Sequence, residues 1–282
     1  MYPILHRYGP FFLYSYTVVM IVGVLLVVGL TWWRIRLDQS KGPYATPALQ
    51  STWFDGILVL LLAGLVGGRI GFVIGAWNYF QDHPHEAWQI WQGGLSYHGA
   101  LLAGGVAFGL WSFWKSSVFH LPYAVFRNYS LGLYAPGFAL LVMFGWGACW
   151  LDGCAYGQET TLGWLAADLP DAYGVYGVRY QTQMGGIFTG LVALLLPWGL
   201  AHWLRVGNPV WLFGVTLLLV SLGHLLVGLG RGDELPLLWG WPVGLWLDGM
   251  LAFTALLLVW RGVYDSQRPF LTLFFAFFAG SP

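Results

Sequence analysis

The stretch from Gly67 to Gly105, GGRIGFVIGAWNYFQDHPHEAWQIWQGGLSYHGALLAGG, decides how the rest of the chain is read. Two apolar segments, each long enough to cross a bilayer, meet here around Arg69 and His98. An arginine carried into hydrocarbon costs about 2.5–3.5 kcal/mol on insertion scales, so it is by default a functional candidate. The glycines beside it permit close helix packing or leave room for a ligand.

Composition places the whole chain in the same class. Only 9% of the 282 residues are charged, 58% are hydrophobic and the mean hydropathy is +0.65. A soluble domain carries about a quarter charged residues, so this is an integral membrane protein. The net charge of zero gives no sign of nucleic-acid binding. The abundance of Trp and Tyr suits aromatic belts at both interfaces. Cys149 and Cys154 read as small packing residues, because their spacing suits neither zinc nor a redox CxxC. The first apolar run is too long for a signal-peptide core and reads as a retained anchor helix.

Hydropathy predicts an all-α polytopic bundle of seven spans, near 11–33, 55–78, 94–115, 130–151, 185–204, 210–230 and 241–262. The chain reads as one integral membrane domain over 1–282. The run after Arg268, PFLTLFFAFF, is too short to cross and is expected in the interface or against the bundle. With the N-terminus outside, cytoplasmic segments carry Arg34, Arg36, Lys41, Lys115, Arg127, Arg205, Arg261 and Arg268, and outer segments carry Arg7, Arg179 and Arg231. The positive-inside rule therefore favours N-out, C-in. The longest connection, 152–184, has the length of a lid or binding loop.

With that orientation Arg69, His98, Asp152, Gln183, His224, Arg231 and Asp248 all fall in the outer half of the bilayer or at its rim. They are expected to surround a cavity open to the outer leaflet. Each has a plainer reading beside this one. Arg69 could snorkel to the headgroups or pair with Asp248. His98 and His224 could be hydrogen-bonded structural histidines, and Arg231-Gly232-Asp233 a solvated turn. The other histidines fall at ends or in loops without metal-ligand spacing, so no metal site is expected.

Such a cavity suits one kind of chemistry. Arginine grips phosphate through a planar fork of donors, and a histidine takes a proton from a nucleophile near neutral pH. Cation and base beside a lipid phosphate point to displacement at the glycerol carbon, with phosphate leaving. No serine-hydrolase elbow, P-loop or dinucleotide fingerprint is present.

GGRIGFVI and WNYFQDHPHEAWQIWQGGLSYHGALLAGG, with APGFALLVMFGWGACWLDGCAYG from Ala135 to Gly157 and RYQTQM from Arg179 to Met184, carry a resemblance. Together they resemble the bacterial prolipoprotein diacylglyceryl transferase family across nearly the whole chain. Arg69 and His98 fall on matching family positions, and Tyr16, seven residues before Gly23, suits the family's first-span tyrosine.

The resemblance implies an inner-membrane enzyme that moves the diacylglyceryl group of phosphatidylglycerol onto the lipobox cysteine of an exported prolipoprotein. It also implies that glycerol phosphate is released and that no metal or organic cofactor is needed. On that reading His98 accepts the thiol proton or orients the thiol, with His224 as a second catalytic candidate. Arg69, with Arg179 or Arg231, holds the leaving phosphate; Tyr16, Asp152 and Gln183 position headgroup or peptide. The chain departs from the family at Trp146 and His224, where arginines are usual, and at Gly185-Gly186, where Tyr-Glu is usual. Trp146 stands at the position held to bind the phospholipid. These departures motivate an alternative, a relative that binds phospholipid or lipoprotein without turnover. Transfer of a related lipid group to another acceptor, and solute transport, are further readings; the lack of an internal repeat weighs against transport.

Overall fold

A computed structural model describes residues 4–9, 11–38, 47–90, 93–161, 163–171 and 174–278. Lys41 and the Arg268 side chain, both counted above, lie outside what is described. The elements run β1 (Ile4–Tyr8), β2 (Phe11–Tyr14), α1 (Ser15–Asp38), α2 (Pro47–Gly75), α3 (Trp77–Phe80), a 3-10 turn at Pro84–Trp88, α4 (Tyr97–Val118) and α5 (Tyr123–Asp152). Then follow β3 (Ala166–Pro170), β4 (Tyr176–Tyr180), α6 (Thr182–Leu204), α7 (Pro209–Leu229), β5 (Leu237–Leu238), β6 (Trp241–Pro242) and α8 (Val243–Phe278).

Among the described residues six helices are long and apolar enough to cross a membrane: Ser15–Leu37, Gln50–Gly75, Tyr123–Asp152, Thr182–Leu204, Pro209–Leu229 and Val243–Asp265. The protein is thus an all-α polytopic membrane protein. The remaining long helix, α4, carries His98, Lys115 and three serines in its 22 residues and is not one of the six. The run after Arg268 forms no separate segment: the backbone of α8 continues through it to Phe278. Among the described residues three two-stranded antiparallel hairpins, none expected from the sequence, lie near the N-terminus and in the α5–α6 and α7–α8 connections. In the last of them Trp239 and Gly240 both adopt positive φ, the backbone of a tight two-residue hairpin turn.

The chain divides into two compact units. One comprises residues 28–130 and 234–247, the other the remainder. In the first, α2 packs along α4. The contact depends on glycine: a Cβ at Gly67 would overlap Ala103 and the Gly99 carbonyl, and one at Gly71 would come within 3.0 Å of Gly99 Cα. Small residues of this kind let transmembrane backbones approach. Away from that crossing Trp53 stacks on Phe126 (4.8 Å between centroids) and meets Trp111 and Tyr129. Lys115 pairs with Asp55 at 3.0 Å. Ser96 caps α4 by accepting from Gly99 N–H.

In the second unit α6 packs on α7 and also touches α5. Gly190 faces the Met143 backbone, and Gly223 faces Thr189. Asn208 caps α7, accepting from Val210 and Trp211 N–H, with Pro209 at the first helical position, where a missing N–H costs nothing.

Candidate active site

Arg69 and His98 belong to the first unit. Arg69 is 6% exposed. Its Nε donates to Ala87 O (2.8 Å), Nη1 to Gly93 O (2.6 Å) and Gly94 O (3.1 Å), and Nη2 to Glu86 O (2.6 Å). The Phe72 and Phe80 rings lie 5.6 and 5.5 Å from the guanidinium carbon. Four of its five N–H groups are therefore spent on main-chain carbonyls of the α2–α4 connection. No carboxylate pairs with it among the described residues, so its charge is not neutralised locally.

His98 stands on the first turn of α4, half-buried. Its ring meets Tyr97 edge-on at 5.0 Å. A Cβ at Gly244, in the first turn of α8, would come within 3.2 Å of His98 Cε1, so the imidazole packs against bare helix backbone.

The second unit holds Tyr16, Trp146, Asp152, Arg179, Gln183, His224 and Arg231. Trp146 and His224, each 9% exposed, touch one another. The indole Nε1–H donates to His224 Nε2 at 2.9 Å, which puts the proton of a neutral imidazole on Nδ1. A Cβ at Gly186 would overlap the Trp146 indole. Trp146, Gly186 and His224 are thus one interlocked group. No spacing links the three, which lie on α5, α6 and α7; the sequence marks them only as departures from the family pattern.

The turn after α5 is closed by a Cys149–Cys154 disulfide. This corrects the reading of the two cysteines as packing residues; a pair five apart has no sequence signal that separates the two cases. The turn is then tied to the start of α6. Gln183, fully buried, donates Nε2–H to Cys154 O at 2.9 Å, and Thr182 Oγ1 donates to Ala155 O at 2.6 Å. Asp152 ends α5 at the surface, and Tyr16 is half-buried on the first turn of α1.

Arg179 and Arg231 are both paired. Arg179, buried on β4, shares Nη2 between Glu159 (3.2 Å) and Asp171 (3.3 Å) and lies over the Tyr156 ring. Arg231 is bidentate to Asp233 through Nε (2.8 Å) and Nη2. Backbone bonds join Gln158 to Gly230 and Tyr180, and Gly232 to Tyr156, so short extended segments at 156–160 and 230–232 extend the β3–β4 hairpin. An open cavity of about 620 Å³ lies beside it, lined by Glu159, Thr160, Thr161, Tyr176, Gly177 and Val178. It includes none of the residues singled out from the sequence. The partner carboxylates Glu159 and Asp171 were also missed. Among the described residues no group of three or more His, Cys, Asp or Glu is placed to hold a metal ion.

Membrane-length apolar helices define a polytopic membrane protein, here with a buried arginine and a buried histidine. The profile of the prolipoprotein diacylglyceryl transferase family matches residues 3–261, and the chain belongs to that family. Three relatives share the name phosphatidylglycerol–prolipoprotein diacylglyceryl transferase. That of Frankia alni is 31% identical over 93% of this chain and 67% of its own. That of Zymomonas mobilis is 29% identical over 88% and 84%, and that of Nocardia farcinica 30% over 82% and 47%. The chain thus spans about half the length of the Nocardia relative.

Proposed function

We propose that the protein transfers the diacylglyceryl group of phosphatidylglycerol to the lipobox cysteine thiol of a prolipoprotein. The observation that carries this reading is the family match over residues 3–261, inside which His98 opens α4 on a glycine-packed base. The thiol proton passes to the His98 imidazole, and the sulfur attacks the glycerol carbon that carries the phosphate ester. A C–S thioether forms, the C–O bond breaks, and glycerol phosphate leaves with the electron pair.

Arg69 lends positive charge to this region while its N–H groups hold the α2–α4 connection. Arg231 spends Nε and Nη2 on Asp233 and offers Nη1 to the phosphate, while Arg179 exchanges a carboxylate for it. Tyr16 and Asp152 hydrogen-bond headgroup or peptide; Gln183 supports them through the Cys154 turn. Trp146 presents an indole face to the lipid's uncharged part, and His224 is held as a neutral acceptor.

The same reading puts the chain in the bacterial inner membrane as seven spans, N-out and C-in, with the 152–184 connection as a lid or binding loop on the outer side. The disulfide supports that side, since such bonds persist outside the reducing cytosol.

The test is a reaction of the purified protein in phosphatidylglycerol vesicles with a lipobox peptide, read by mass spectrometry. The expected product carries a diacylglyceryl mass on cysteine. Lipid binding without product would overturn the assignment and leave a relative without turnover. Reporter fusions at the α4–α5 and α5–α6 connections read the orientation; a cytoplasmic signal at the latter would reject it.

A further inference from the structure

We infer that Arg69 is a positioning residue for His98, acting through the main chain of the α2–α4 connection and not by gripping substrate. The inference rests on the reading of His98 as the proton acceptor. The guanidinium gathers carbonyls from two ends of that connection, Glu86 and Ala87 on one side and Gly93 and Gly94 on the other. Gly93 and Gly94 have φ of +85° and +79°, a conformation in which both carbonyls can turn inward to one cation. A Cβ at Gly94 would overlap the Phe72 ring, which itself flanks the guanidinium.

The chain then runs into the start of α4. Ser96 N–H donates to Gly68 O at 2.8 Å, one residue from Arg69, and Ser96 Oγ caps the helix that carries His98. The imidazole lies against Gly244 with no room to spare. Clamp, cap and histidine thus form one short chain of contacts within a single unit. A displacement of about 1 Å at a reacting group costs about 100-fold in rate, so this chain is where such a displacement would arise.

Lysine separates the two roles of Arg69. It keeps the charge but has one nitrogen, and cannot reach four carbonyls in two segments. For Arg69→Lys the expected result is a fall in kcat of about 10–100-fold, with KM for phosphatidylglycerol within about twofold of the parent. Amide hydrogen exchange of residues 83–90 and 93–96 should accelerate. Gly93→Ala, which leaves the arginine in place and meets no atom within 4 Å, should give the same signature by straining the turn. Near-parental kcat in Arg69→Lys with unchanged exchange, or a raised lipid KM in Arg69→Gln alone, would overturn the inference. Hydrogen exchange needs no turnover. Accelerated exchange in a protein that transfers nothing would therefore support the clamp while the transferase reading fails.

Discussion

The indole N–H of Trp146 and Nε2 of His224 are 2.9 Å apart, one hydrogen bond joining α5 to α7. The bond spends the donor of one residue on the acceptor of the other, and Gly186 supplies the hollow in which the indole sits. Interhelical bonds of this kind in membranes contribute about 0.6 kcal/mol and at most about 1.7. Trp146→Phe should therefore lower the Tm by only a few degrees. Gly186→Ala should cost more, because its new methyl group has no space. In a double-mutant cycle with Trp146→Ala the Gly186→Ala penalty should largely vanish; additive losses would show that the contact is not as described.

The resemblance implies arginines at 146 and 224 and a glutamate at 186, three charges where this chain has an indole, an imidazole and a glycine. Reversal should succeed only as a set. Trp146→Arg with His224→Arg buries two cations beside a bare glycine and should express poorly. Adding Gly186→Glu should restore folding, measured as monodisperse yield in detergent. Equal yields from the double and triple variants would contradict the coupling.

His98→Ala removes the proposed proton acceptor. General-base catalysis contributes about 10²–10⁴-fold, so kcat/KM for a lipobox peptide should fall by that amount with lipid binding preserved. Activity within a few-fold of the parent would move the base elsewhere.

The Cys149–Cys154 bridge should leave the native protein without a thiol that reacts under denaturing alkylation. The Cys149→Ser, Cys154→Ser pair should lose about 2 kcal/mol by the loop-closure relation for so short a span. Two alkylated thiols in unreduced protein would refute the bridge.

On the α2–α4 connection Tyr79 Oη donates to Glu86 Oε2 at 2.6 Å, and that bond to a carboxylate raises the phenol above the ordinary tyrosine value. The group titrates higher folded than unfolded, so its contribution is complete below the ordinary value of about 10 and disappears as pH climbs through the raised one. Ultraviolet titration of the parent minus Tyr79→Phe should show one phenol ionising late; a difference curve centred at the ordinary value would rule this out.

The long helices were legible because apolar runs of this length have few other uses in a chain with so few charges. Arg69 and His98 stood out for the same reason, as polar groups in apolar company. The hairpins were not legible. β5 and β6 are two residues each, too short for any alternation, and β3–β4 lies in a glycine- and tyrosine-rich stretch that reads as irregular. The Arg231–Asp233 pair sits two residues apart and was within reach of the sequence. The partners of Arg179 and of Trp146 were not, because tertiary packing decides them.

The carbonyl cradle of Arg69 also bears on biogenesis. Its partners lie 17–25 residues downstream, so α2 emerging alone from the translocon carries a cation with nothing to solvate it. The guanidinium is satisfied only once the following turn has been synthesised and folded back. The two segments therefore enter the lipid most cheaply as a helical hairpin, and the arginine that burdens one of them alone becomes the pin that joins the pair.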